Sequence, residues 1–248
     1  MNRVMYCLSV VLVATLFTAQ AAMAQHVAFD NGHGERFIIG DAGPLQLSKL
    51  AEALRTRGAK VSALDRKISD ASLDGIDALI ISGAFAPLQP EEVEAVQRFM
   101  ARGGKLAVML HIAPPLASLL DSLGIDYTNG VIRENENVIA GNPQDFRSTR
   151  MGDHPVMKGI KEFSLYGVWG LRTVSSRSRI VASTSPKAWI DLHRDKIQHP
   201  DETASFGVAM AGEVGKGGFL VFGDDAIFQN KFIDGNMALA TNLVGWLK

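Results

Sequence analysis

The stretch DALIISG, Asp77 to Gly83, is apolar from Ala78 to Ile81 and closes on a glycine. A run this short, bounded by turn residues, fits a β-strand covered on both faces, the pattern of a parallel sheet with helices on either side. GKLAVMLHI, residues 104–112, repeats it. Between the two lies PLQPEEVEAVQRFMARGG, with proline and two glutamates in its first turn, apolar residues at Val93, Val96, Phe99 and Met100, and the stop Gly103-Gly104. That is a helix with both ends marked. Strand, helix and strand in this order require a right-handed crossover and a parallel pair.

The rhythm holds over much of the chain. HVAF (His26 to Phe29) and AKVSAL read as strands around a helix from Pro44 to Arg57, whose Leu45, Leu47, Leu50, Ala51 and Leu54 share a face and whose stop is Gly58. PPLASLLDSLG supplies another helix. From Asp126 to Ser176 the chain is rich in Gly, Asn and Arg with no long helix, and reads as an antiparallel extension or irregular β-rich insertion. RIVAST (Arg179 to Thr184) resumes the sheet, and Phe206 to Asp224 gives two strands joined through Glu213 to Gly218. GNMALATNLVGWL closes the chain as a helix presenting Met237, Leu239, Ala240, Leu243 and Trp246 to the sheet. The expected class is α/β, a mostly parallel central sheet sandwiched between helices.

Residues 1–24 have Arg3, an apolar run and the small-x-small triplet Ala22-Met23-Ala24, which reads as a signal peptide cleaved before Gln25. A retained anchor is the competing reading. Cleavage predicts a periplasmic or secreted single domain, residues 25–248, with no stable membrane insertion. The one cysteine, Cys7, leaves with the leader. Disulfides, thiolate nucleophiles and cysteine metal sites then go together. The formal net charge of −1 becomes −2 without Arg3, and nothing in that balance points to nucleic acid or anionic lipid as a partner.

Open parallel sheets bind ligands beyond the carboxyl ends of their strands. Asp30, Asn31, His33 and Glu35 follow the first strand, Ser82 the third, His111 the fourth, and Asp224 and Asp225 a late one. These form the candidate ligand-binding set, chiefly Asp30, Asn31, His33, Glu35, His111 and Asp224. In FDNGHGERF, residues 29–37, Gly32 and Gly34 free the backbone, while Asp30, His33 and Glu35 with Asp224 have the chemistry to hold magnesium, manganese or zinc. The structural reading takes precedence: Asp30 and Asn31 cap a tight turn and Glu35 pairs with Arg36 or another arginine. No metal and no cofactor is expected. Of Asp224 and Asp225, which cannot face the same way on a strand, one caps the next turn and the other is left for the cleft. His154, before a proline, reads as structural. His193 and His199 lie in DLHRDKIQHPDE, a solvated loop. Tyr166, Trp169 and Trp189 are core residues first and a platform for a sugar or peptide second.

FDNGHGERF, LQPEEVEAVQRFMARGGKLAVM, HPVMKGI and VFGDDAIFQN with GNMALATNLVGWL together resemble the class I glutamine amidotransferase-like superfamily, in its non-catalytic branch of exported domains related to gliding-motility and intraflagellar-transport proteins. The resemblance implies a flavodoxin-like three-layer sandwich. In true amidotransferases a cysteine sits at an elbow after a central strand, with a histidine and an acid completing the triad. Here the equivalent strand is KLAVMLHI, followed by Ala113-Pro114-Pro115, and Ser118 is in no G-x-S-x-G elbow. Glutamine hydrolysis through a thioester is excluded by composition. The expected function is that of an exported non-catalytic domain binding a small ligand or an envelope protein partner, accessory to an envelope transport system. The alternative is a hydrolase of small esters or glycans using His33 with Asp30, Glu35 or Asp224, with or without a metal.

Overall fold

The computed structural model describes residues 24–248. The expected leader, Cys7 included, lies outside the described residues except for Ala24. In chain order the first half runs β1 (His26–Asp30), α1 (Ser48–Thr56), β2 (Lys60–Leu64), β3 (Ala78–Ser82), α2 (Pro90–Ala101), β4 (Lys105–Met109) and α3 (Ala117–Ser122). The second half is β5 (Ile125–Val131), β6 (Val138–Ile139), β7 (Asn142–Ser148), β8 (Arg150–Met151), β9 (Phe163–Tyr166), β10 (Trp169–Thr173), β11 (Ser178–Ser183), β12 (Gly207–Val214), β13 (Gly217–Phe222) and α4 (Met237–Trp246).

Ten of the strands form one sheet along the path β2-β1-β3-β4-β13-β12-β10-β5, with β11 on β12 and β8 on β11. Pairing is parallel from β2 to β13 and antiparallel beyond it. Successive side chains of a strand point to opposite faces, so two cores result. Phe29, Ile80, Met109, Leu220 and Phe222 meet Leu50 and Leu54 of α1 and Leu239 and Leu243 of α4. Leu79, Ile81, Leu106, Val108, Phe219 and Val221 meet Val96, Phe99 and Met100 of α2 and Leu119 and Leu120 of α3. This is an α/β sandwich with a large, mixed, mostly parallel sheet.

Of the two readings of residues 126–176, an antiparallel extension or an irregular β-rich insertion, the first holds. β5 and β10 extend the main sheet, while β6, β7 and β9 form a separate three-stranded antiparallel sheet. Glu134, only 3% exposed, ties this region down: its carboxylate accepts from Ser185 N (2.9 Å), Ser185 Oγ (2.7 Å) and Asn135 N (2.8 Å).

Two boundaries and one helix face differ from expectation. α1 begins at Ser48 rather than Pro44, because the carbonyls of Pro44 and Gln46 accept from Lys231 N and Asn230 N and are held in a turn. β12 and β13 pair out to Val214 and Gly217, leaving a tighter turn of Gly215 and Lys216, with Gly215 at φ +59. In α4, Met237 is 42% exposed while Val244 takes a place in the core. Among the described residues, no helix is long and apolar enough to cross a membrane.

Candidate functional site at the carboxyl edge of the sheet

The loop after β1 closes around His33, which is 4% exposed. Its Nδ1 lies 2.6 Å from Asp30 Oδ2 and its Nε2 3.2 Å from Glu92 Oε1. Glu92 also anchors α2, where it completes a capping box by accepting from Gln89 N (2.9 Å), and it accepts from Ile68 N (2.9 Å). The His33 carbonyl accepts from Phe85 N and Ala86 N, so the loop is sewn to the segment after β3.

Burial alone would lower the His33 pKa, but the hydrogen bonds and charges of Asp30 and Glu92 outweigh it and raise it to about 9. Glu92 is pushed up by burial and pulled further down by the Gln89 amide and the His33 charge, ending below the usual glutamate value. His33 is therefore an imidazolium at neutral pH, with both N–H groups committed to carboxylates. Asp30, His33 and Glu35 bring ligand atoms within 4.8 Å of one another, with both ring nitrogens of His33 on carboxylates in the metal-free chain. Asp224 is not part of this group.

Glu35 lies beside it and is half-buried. Burial, then the neighbouring Asp30 carboxylate, raises its pKa to about 7. Its Oε2 accepts from His33 N (2.8 Å). The expected pairing with arginine is not what the loop does: Arg36 instead lies over the Phe85 ring, 5.5 Å from its centroid. Asn31 donates through its side chain to Asp65 and through its backbone to Leu64 O (3.0 Å), which fastens the loop to β2.

The second half of the site follows β4 and β13. The His111 ring packs on Phe37 and Phe85 at 5.1 and 5.2 Å, with Nδ1 3.2 Å from Asp225 Oδ1. That hydrogen bond raises the His111 pKa against the opposing effect of burial. Asp225 is 3% exposed and abuts the peptide after β3. A Cβ on Gly83, at φ +66, would lie 2.9 Å from Asp225 Oδ2 and 3.0 Å from Phe37 Cδ2, so only glycine fits there.

Asp224 faces the other way. Its Oδ2 accepts from Tyr166 N (2.6 Å) and its Oδ1 from Ala226 N (2.8 Å), and burial followed by the Asp225 charge raises its pKa. The two adjacent carboxylates divide in the turn after β13, where Asp225 has left the extended conformation: Asp224 caps the turn and Asp225 meets His111. Of the six candidate residues, Asp30, His33 and Glu35 form one cluster, Asn31 braces it, His111 sits across the edge, and Asp224 serves the backbone. Asp225, not Asp224, is the one of the pair left for the cleft, as the partner of His111.

Three buried side-chain atoms at this edge have no hydrogen-bond partner: Glu35 Oε1, Ser82 Oγ and Asp225 Oδ2. Such atoms are few in folded proteins. Ser82 and Asp30 line a cavity of about 150 Å³ with Asn31, Phe29 and Phe37.

The other histidines lie elsewhere. His154 accepts from Val156 N (3.2 Å) and packs near Trp246, with its pKa lowered to about 4 by burial and then by Arg179 and Lys105. Trp189 is 6% exposed beneath Arg133, Tyr166 stacks on Phe232, and Trp169 donates to His111 O (3.1 Å).

Residues 39–244, most of the sequence, match the family described as Domain of unknown function (DUF4350). The chain belongs to this family. No curated protein matches the DUF4350 chain in sequence. Among solved structures it is similar to the mmIFT52 N-terminal domain, with TM-score 0.71 at 18% identity over 89% of this chain and 96% of that one. A ThuA-like protein from Bacteroides uniformis gives TM-score 0.54 at 16% identity, over 93% and 95% of the two chains. A Thermoplasma acidophilum protein described as a component of GMP synthase gives 0.52 at 11%, over 91% and 95%. At these identities the likeness speaks for the fold, which is the class I glutamine amidotransferase-like fold. Within that fold, this DUF4350 domain carries Leu110, His111 and Ile112 directly after β4, with Ala113 and Pro114 next.

Proposed function

We propose that this DUF4350 domain is an exported, non-catalytic binding domain that takes a small hydroxyl- or amine-bearing ligand at the carboxyl edge of its sheet, in the service of an envelope transport system. The observation that carries the reading is the trio of unpartnered buried oxygens at this edge, Glu35 Oε1, Ser82 Oγ and Asp225 Oδ2, of which Ser82 lines a small cavity. All three accept hydrogen bonds, and a ligand rich in donors satisfies them. The aromatic faces of Phe37 and Phe85 and the half-exposed His111 border the same edge.

The non-catalytic part rests on sequence. Cys7 is the one cysteine, and the turn after β4 offers no nucleophile in an elbow. The likeness to the mmIFT52 N-terminal domain supports the branch to which the sequence resemblance points. The leader-like residues 1–24 support export.

Hydrolysis is the second reading, and one observation favours it. His111 has Nδ1 on Asp225, the arrangement that orients a general base, whereas both nitrogens of His33 are taken.

Thermal unfolding of the mature chain with sugars, polyols and primary amines tests the proposal. A ligand that raises Tm for the wild type and not for Ser82→Ala or Asp225→Asn supports binding at this edge. Turnover of chromogenic esters or glycosides that is lost in His111→Ala transfers the assignment to hydrolysis.

A further inference from the structure

The polar loop DLHRDKIQHPDE, residues 191–202, lies apart from the carboxyl-edge site. Its base is closed: Trp189 bridges both Arg133 and Thr203, and Ala204 N donates to Ala188 O (2.9 Å). Above that base the loop has a single 3-10 turn, Pro200–Glu202, and exposes Leu192 and Ile197 at 52% and 60%. A loop of this length in a compact domain calls for something to hold it.

Two histidines and a sealed carboxylate gather at its centre. The Glu202 side chain is 0% exposed, and its Oε1 accepts from His193 N (2.8 Å) and lies 2.9 Å from His193 Nδ1. Its Oε2 is buried with no partner. The His193 and His199 rings are 4.6 Å apart, and the three residues bring ligand atoms within 4.8 Å of one another. Each imidazole also has an outer carboxylate: Asp195 Oδ2 is 2.9 Å from His199 Nε2, and Asp201 Oδ2 is 3.7 Å from His193 Nε2.

We infer that His193, His199 and Glu202 form a metal site of the zinc class that clamps this loop. Two imidazoles with one carboxylate suit zinc over magnesium or calcium, which prefer all-oxygen shells. The 2.9 Å between Glu202 Oε1 and His193 Nδ1 approaches the spacing of two ligands on a tetrahedral zinc, about 3.3 Å for bonds of about 2.0 Å. The carboxylates on the outer ring nitrogens are the usual means of orienting ligating histidines. Glu202 supplies a fixed anion from the rigid base, and the histidines, partly exposed, close over it from the loop.

The test uses the mature protein stripped with a chelator and titrated with Zn²⁺ alone by calorimetry, and with Co²⁺ by visible absorption. One ion per chain with Kd at or below about 1 μM, and a tetrahedral Co²⁺ spectrum, are expected. His193→Gln with His199→Gln, at partly exposed positions, weakens binding at least about tenfold. Glu202→Gln does the same. Tryptic cleavage after Arg194 and Lys196 slows at least about tenfold once Zn²⁺ exceeds its Kd by that factor. Absence of saturable Zn²⁺ binding in the wild type overturns the inference. So does a loss below tenfold in the double variant, which puts the ion elsewhere, as at Asp30, His33 and Glu35.

Discussion

His33 Nδ1 lies 2.6 Å from Asp30 Oδ2, in a contact that water does not reach. On the far side of the same ring Glu92 caps α2, so one imidazolium joins the end of β1 to the start of the helix that covers it. The stability of the parallel half of the sheet and the shape of the candidate site meet in this residue.

Removing the ring strands two buried carboxylates. His33→Ala is expected to destabilise the domain by about 3–5 kcal/mol, the usual cost of deleting one member of a buried ionic group. Urea unfolding followed by circular dichroism measures it, and a loss under about 1 kcal/mol contradicts the network described above.

The same residue sets a pH dependence. A pKa raised from 6.5 to about 9 means that the folded chain keeps a proton the unfolded chain releases. That stabilisation is complete below pH 6.5 and is lost as pH rises through 9, amounting to about 3 kcal/mol at most. Glu35, raised from 4.5 to about 7, acts with the same sign in the lower window. Urea midpoints between pH 5 and pH 10 should fall for the wild type, with the upper part of the fall missing in His33→Gln.

Asp224 and Asp225 should separate by phenotype. Asp224→Ala orphans the amides of Tyr166 and Ala226 and is expected to cost about 2–3 kcal/mol while leaving any ligand-induced rise in Tm intact. Asp225→Ala removes one oxygen that has no partner and one that meets only the half-exposed His111, so its cost stays below that of Asp224→Ala, and the ligand-induced rise disappears. Thermal unfolding with and without ligand reads both.

Gly83→Ala places a methyl group against Asp225 Oδ2 and Phe37 at a positive φ. A loss of about 1–3 kcal/mol is expected, together with a shifted His111 imidazole resonance, because the displaced Asp225 is what holds that ring. An unmoved resonance would separate Gly83 from the site.

Glu134→Ala should loosen one region more than the whole. Its carboxylate holds Ser185 N and Asn135 N, and its loss costs about 2–3 kcal/mol. Hydrogen exchange should quicken first around residues 133–135 and 185, ahead of β3 and β4.

Much of the parallel half was legible because its central strands β3 and β4 are short apolar runs and α2 between them has marked ends. Gln89, Pro90 and Glu92 announce α2, and Ala78 to Ile81 announces β3. The second half carries weaker signals. β5 and β7 are half-exposed strands interrupted by Asn, Asp and Arg, and their pairing depends on partners distant in sequence, such as β10 and β9. The site divides in the same way. That Asp30, His33 and Glu35 cluster follows from their closeness in the chain. That Glu92 reaches His33 across 59 positions, or that Asp225 and not Asp224 turns to His111, depends on loop register, which no local pattern encodes.

β13, the last strand to be synthesised, is seated between β4 and β12 in the interior of the sheet. Until Phe222 has emerged, β4 and β12 each lack the strand that lies between them, so the parallel half and the antiparallel wing cannot join.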